Sequence, residues 1–150
     1  MCIRDRSGLE WYVLQYPLHK GLQSWVEQLN RVYREHPALH ELDTEPAGFE
    51  WIDCNDSPAS TISILRKGKS AKEQVVVACN FTPVPRIDYQ LGVPHGGFWR
   101  EILNSDAKEY GGSGMGNLGG VQAQEDPIHG RPYSLKLTLP PLAVLFLKAE

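Results

Sequence analysis

An antiparallel β-sandwich preceded by one amphipathic helix is the fold class that this chain of 150 residues predicts. Three observations lead there. Helical periodicity is confined to residues 18–33, eight short strand-like runs follow residue 48, and a proline- and acid-rich stretch lies between them.

The helix comes first in the chain. Residues 9–17, LEWYVLQYP, are rich in aromatics and stop at Pro17. Beyond them Leu18, Leu22, Trp25, Val26, Leu29, Val32 and Tyr33 recur at spacings of three and four. This predicts a helix over about 20–35, with Lys20, Glu27, Arg31 and Arg34 on its polar face. His36-Pro37 ends it, because a residue before proline disfavours the helical region. Trp25, Leu29 and Tyr33 share one stripe, and full burial of each is worth about 1.5 to 3 kcal/mol, so the stripe requires a partner surface. Residues 37–48 then carry two prolines, three acids and a glycine, and 38–48 reads as a linker.

The strand-like runs are 49–53, 61–66, 75–81, 86–91, 98–103, 121–124, 133–139 and 143–148. In the third, Val75, Val77, Cys79 and Phe81 fall on one face while Val76 and Ala78 keep the other small and apolar. A strand apolar on both faces belongs inside a sheet with cover on either side. Pro83 and Pro85 interrupt the ladder before Ile87, Tyr89 and Leu91 resume the alternation, so 75–81 and 86–91 read as a pair that the other strands collect around. Residues 67–73, KGKSAKE, form a solvated hairpin loop, and Pro140-Pro141 forces a wider turn between the last two strands.

Composition argues against a membrane or nucleic-acid partner. No apolar run approaches the length of a span, and a net charge of -3 from 15 basic and 18 acidic residues, mixed along the chain, gives no basic face. The three cysteines, Cys2, Cys54 and Cys79, lack paired spacing, which points to a reducing, cytoplasmic compartment. The opening MCIRDRS reads as a non-native leader, assigned to residues 1–8.

No motif carries catalysis. Gly114-Met115-Gly116-Asn117-Leu118-Gly119 is formally GxGxxG, but NSDAKEY precedes it and no helical pattern follows, so the segment reads as a long loop needing positive φ. Asp53-Cys54-Asn55-Asp56-Ser57 has Pro58 where a calcium loop needs glycine, and reads as an Asx-type turn. His19, His36, His40, His95 and His129 show no metal-ligand spacing on a helix, and Gly111-Gly112-Ser113-Gly114-Met115 is no nucleophile elbow. Catalytic, metal and cofactor-binding residues are therefore assigned as none, and substrate-binding residues are left open. Of Trp51, Tyr89, Phe98, Trp99 and Tyr133, buried rings serve the core and exposed ones offer sugar-stacking surface, with Phe98 and Trp99 pointing opposite ways.

Several longer strings belong together. LNRVYREHPALHELD at 29–43, GFEWID at 48–53, CNFTPVPR at 79–86, the run from GVPHGGFWREILNSD to YGGSGMGN between 92 and 117, and HGRPYSLKLTLPPLAVLFLK at 129–148 resemble the C-terminal end of bacterial 1,4-α-glucan (glycogen) branching enzymes of the α-amylase superfamily. The resemblance implies that residues 9–37 close a catalytic (β/α)8 barrel, including its last helix, and that 49–150 form an α-amylase-type C-terminal all-β domain. The helix stripe is then expected to pack on barrel elements, and deleting residues 9–36 is expected to improve solubility. Such enzymes transfer α-1,4-glucan segments to form α-1,6 branches through a covalent glycosyl-enzyme intermediate. Their two aspartates and one glutamate lie upstream of this chain, so the resemblance implies an inactive fragment without a cofactor. Its implied partner is the barrel of the full-length enzyme, with α-glucan as a further candidate. A stand-alone α-glucan-binding sandwich and an immunoglobulin-like interaction domain are the alternative readings.

Overall fold

The computed structural model describes residues 8–150, so Cys2 and the expected leader, Gly8 excepted, lie outside the described residues. Proline at the first helical position needs no N–H partner and arrives with helical φ, and the helix α1 starts there, spanning Pro17–Glu35. That is three residues ahead of the start the apolar period indicates. His36 adopts extended backbone and ends it before Pro37.

The strands form where alternation places them. They are β1 (Phe49–Asp53), β2 (Thr61–Lys67), β3 (Gln74–Asn80), β4 (Arg86–Val93), β5 (Phe98–Asn104), β6 (Gly120–Gln122), β7 (Tyr133–Leu139) and β8 (Ala143–Ala149). Six make one sheet in the order β1-β2-β3-β8-β5-β6, and β4 pairs with β7 in a second. The pairings are antiparallel.

β3 sits inside the larger sheet, as its two apolar faces require, but β4 is not its neighbour. Pro83 and Pro85 end the ladder, and the chain crosses to the other sheet instead of turning back. Pro140-Pro141 carries β7 into β8 by a second crossover of the same kind. The buried Asn80 ties the two together, donating from Nδ2 to the carbonyls of Val84 and Pro140, each at 2.9 Å.

Alternate residues of β3 feed two cores. Val76 and Ala78 point inward with Leu65, Trp99, Leu145 and Leu147 to meet Leu91, Leu135, Leu137 and Leu139 of the smaller sheet. Val75 and Val77 point outward to Leu103, Val32, Trp25 and Leu29. The helix stripe is thereby divided: Trp25, Leu29 and Val32 face the sheet, whereas Leu18, Leu22, Val26 and Tyr33 stay exposed. Deleting residues 9–36 would strip cover from Val75 and Val77. Residues 37–48 are also packed. Ala38, Leu39 and Leu42 are buried, Arg66 donates to the Leu39 carbonyl at 3.3 Å, and the Glu41 carboxylate accepts the Lys69 N–H at 2.9 Å.

Side chains close the seam between edge strand β1 and the smaller sheet. Glu50 pairs with Arg131, His129 Nε2 lies 3.5 Å from Asp53, and the Tyr89 hydroxyl donates to Asp56 at 3.1 Å. A bulge between Arg86 and Tyr89, with Asp88 at φ +54°, leaves Ile87 exposed and breaks the alternation read there from sequence.

Candidate functional site

The loops are held by their own hydrogen bonds. Asp53 and Asp56 form the turn read from sequence, accepting the backbone N–H groups of Asn55 at 2.9 Å and Ala59 at 3.1 Å. In the glycine-rich loop, the Asp106 carboxylate accepts the N–H and hydroxyl of Ser113 and the N–H of Met115. Strand β6 follows that loop, where a nucleotide fingerprint has a helix. Tyr110 meets Trp25 edge-on with centroids 5.3 Å apart, so the loop braces α1. A Cβ at Gly21 would stand 2.5 Å from the Tyr110 carbonyl oxygen, which explains glycine inside a helix.

Among the described residues no set of three or more His, Cys, Asp or Glu side chains is placed to hold a metal ion. Cys54 and Cys79 are free thiols, and burial pushes the Cys79 thiol up, disfavouring its thiolate. No helix of the described chain is long and apolar enough to cross a membrane.

What the surface offers is apolar area on one side. Leu18, Leu22 and Val26 are exposed along one flank of α1, and Leu9, Trp11, Tyr12 and Tyr16 extend exposed apolar chain ahead of it. Between the C-terminal half of α1 and β2 runs a groove of about 560 Å³, with Leu29 and Tyr33 on its wall and Ile64 and Phe146 on its floor. Its polar rim is self-satisfied. Asp43 pairs with Arg66, which holds the carboxyl below its ordinary value, and accepts the Tyr33 hydroxyl at 3.1 Å, which pushes the phenol up.

The aromatic residues separate by face. Trp99 is buried and Phe98 largely outward, as alternation requires, while Tyr89 is half-buried in the seam and Tyr133 packs on the inner core. Trp51 is 53% exposed on β1 and has Phe49 beside it, edge-on with centroids 5.0 Å apart. The sequence reading missed Phe49 as Trp51's companion, although an i, i+2 spacing on an edge strand is the signal that finds such pairs.

With these surfaces in place, the decisive observation is a match of residues 51–150 to the family described as "Alpha amylase, C-terminal all-beta domain". The chain belongs to this family. The alpha amylase C-terminal all-beta domain match covers β2 through β8, and relatives extend the likeness over α1 as well. The chain is 61% identical over 144 residues to the 1,4-alpha-glucan branching enzyme GlgB of Aquifex aeolicus, covering 96% of this chain and 23% of that protein. It is 62% identical over 142 residues to that of Aromatoleum aromaticum, covering 95% and 22%. Against that of Thermosynechococcus vestitus it is 54% identical over 144 residues, covering 96% and 19%. The chain thus spans about a fifth of the length of the curated relatives it matches.

Proposed function

We propose that this alpha amylase C-terminal all-beta domain, with α1, is the supporting C-terminal portion of a glycogen-forming 1,4-α-glucan branching enzyme and has no branching activity alone. The observation that carries the reading is the divided helix. One flank of α1 is buried on the sheet, and the adjoining flank of the same stripe presents Leu18, Leu22 and Val26 to solvent, where a preceding catalytic barrel would cover them. Exposed apolar side chains aligned along one helix face mark a contact surface. The helix then belongs to both bodies and fixes their relative placement. The enzyme would work in the cytoplasm, where Cys54 and Cys79 remain free thiols. Incubating the purified chain with amylose tests the assignment: no new α-1,6 linkages are expected, and branches formed by the chain alone would overturn it.

A second reading, direct contact with α-glucan, is favoured by the exposed Trp51–Phe49 pair, since apolar ring faces stack on sugar rings. Retardation in a glycogen-containing native gel is its assay. Retardation lost in Trp51→Ala is expected, and mobility unaffected by glycogen would remove this reading.

A further inference from the structure

The outward stripe of the larger sheet runs past the end of α1. Along β3 the exposure climbs from 0% at Val75 and 8% at Val77 to 60% at Phe81. Phe81 still donates its N–H to Ser60, which extends the β2–β3 ladder by one residue and keeps its side chain on the face of Cys79. On β8 the stripe of Phe146 and Val144 ends in Leu142, 69% exposed, whose N–H bonds the Thr82 carbonyl at 2.8 Å. Asn80 pairs with Ala143, so Phe81 and Leu142 stand opposite each other, with the exposed Val84 on the adjoining turn.

This patch is built to stay in place. Asn80 Nδ2 bonds both crossovers, its Oδ1 accepts the N–H and hydroxyl of Thr82, and prolines 83, 85, 140 and 141 stiffen the turns. Rigid apolar residues on a preorganised platform bind without the cost of ordering a loop.

We propose that the Phe81–Val84–Leu142 patch is a second docking surface for the preceding part of the branching enzyme, separate from the α1 stripe. The proposal rests on the supporting-domain reading above. Two observations select this occupant. The patch continues the same sheet face that α1 covers, so a body seated on α1 lies against that face. The relatives also hold about four-fifths of their length outside the matched region, ample to cover both. The chemistry of the partner surface is apolar, since the patch offers side-chain carbon while the N–H groups of Phe81 and Leu142 and the carbonyl of Val84 are already bonded.

The test grafts residues 8–150 in place of the matching region of the Aquifex aeolicus enzyme, 61% identical to it, and reads side-chain exposure by hydroxyl-radical labelling. Ile87, exposed on the smaller sheet, is the internal control. Labelling of Phe81 and Leu142 is expected to fall severalfold in the graft relative to the isolated chain, together with Leu18 and Leu22, while Ile87 is unchanged. Protection of Leu18 and Leu22 without Phe81 and Leu142 would overturn the proposal and leave the supporting-domain reading standing. Protection of neither pair would overturn both. Labelling of the isolated chain that falls with its own concentration would assign the patch to a second copy and overturn the proposal. Should the graft fail to fold, the same labelling is read on the chain with the rest of the relative's enzyme added in trans, with the same outcomes.

Discussion

The two faces of the six-stranded sheet are finished to different degrees. Inward, Leu65, Val76, Leu145 and Leu147 meet a second sheet and are sealed. Outward, α1 with Ala38, Leu39 and Tyr110 covers Val75, Val77 and Leu103 and leaves Phe49, Trp51, Phe81 and Leu142 in solvent. One layer of β-structure can complete its core with strands from its own domain, but one helix spans only a strip of a six-stranded sheet. The inner face therefore decides whether the domain folds, and the outer face is the one left open for the proposed partner.

That contrast breaks most visibly at the inner core. Leu145→Ala removes a fully buried side chain and is expected to cost about 2 to 5 kcal/mol, read as a lower midpoint in chemical denaturation. A midpoint unchanged would show that the inner face is not the folding core. Gly21→Ala sharpens the helix contact. Propensity alone makes alanine about 1 kcal/mol better in a helix interior, yet here the new methyl meets the Tyr110 backbone. A net loss of about 1 to 3 kcal/mol is expected, and a gain would mean that the brace between loop and helix is loose.

The seam responds more weakly and through pH. Lys67, by its hydrogen bond to the carboxylate, and then Arg131 hold Glu50 below its ordinary value of 4.5. The unfolded chain therefore takes up the proton first as pH falls, so this contribution is whole above 4.5 and is lost as pH drops through the depressed folded value. Glu50→Gln is expected to cost about 1 kcal/mol at neutral pH, since Glu50 is partly exposed, and to flatten the acid limb of stability against pH. An acid limb identical to that of the parent chain would show that Glu50 does not close the seam. Trp51→Ala has the smallest expected effect, within about 0.5 kcal/mol, because its ring is exposed. A larger loss would place Trp51 in the core of the isolated chain.

Strand positions were legible because alternation is local. β1, β5 and β7 start where the apolar pattern starts, and Phe98–Trp99 divides as a pleat demands. Pairing partners were not legible. Whether two prolines between strands make a hairpin or a crossover depends on Asn80, whose side chain reaches Pro140, 60 residues away. The division of the helix stripe was hidden for a related reason: Trp25 and Leu22 are equally apolar in sequence, and only the position of Tyr110 and β5 selects which one is buried. The exposed ends of the outer stripe, Phe81 and Leu142, were not legible, because alternation marks the face of a residue and not the extent of its cover.

The central claim is that the exposed flank of α1 is reserved for the rest of a larger enzyme. Leu22→Glu with Val26→Glu tests it by thermal unfolding of the isolated chain and of the chain grafted into the Aquifex aeolicus enzyme. The isolated chain is expected to change by no more than about 0.5 kcal/mol, because both side chains are already in solvent, while the graft loses several-fold more. Equal, small changes in both would contradict the claim.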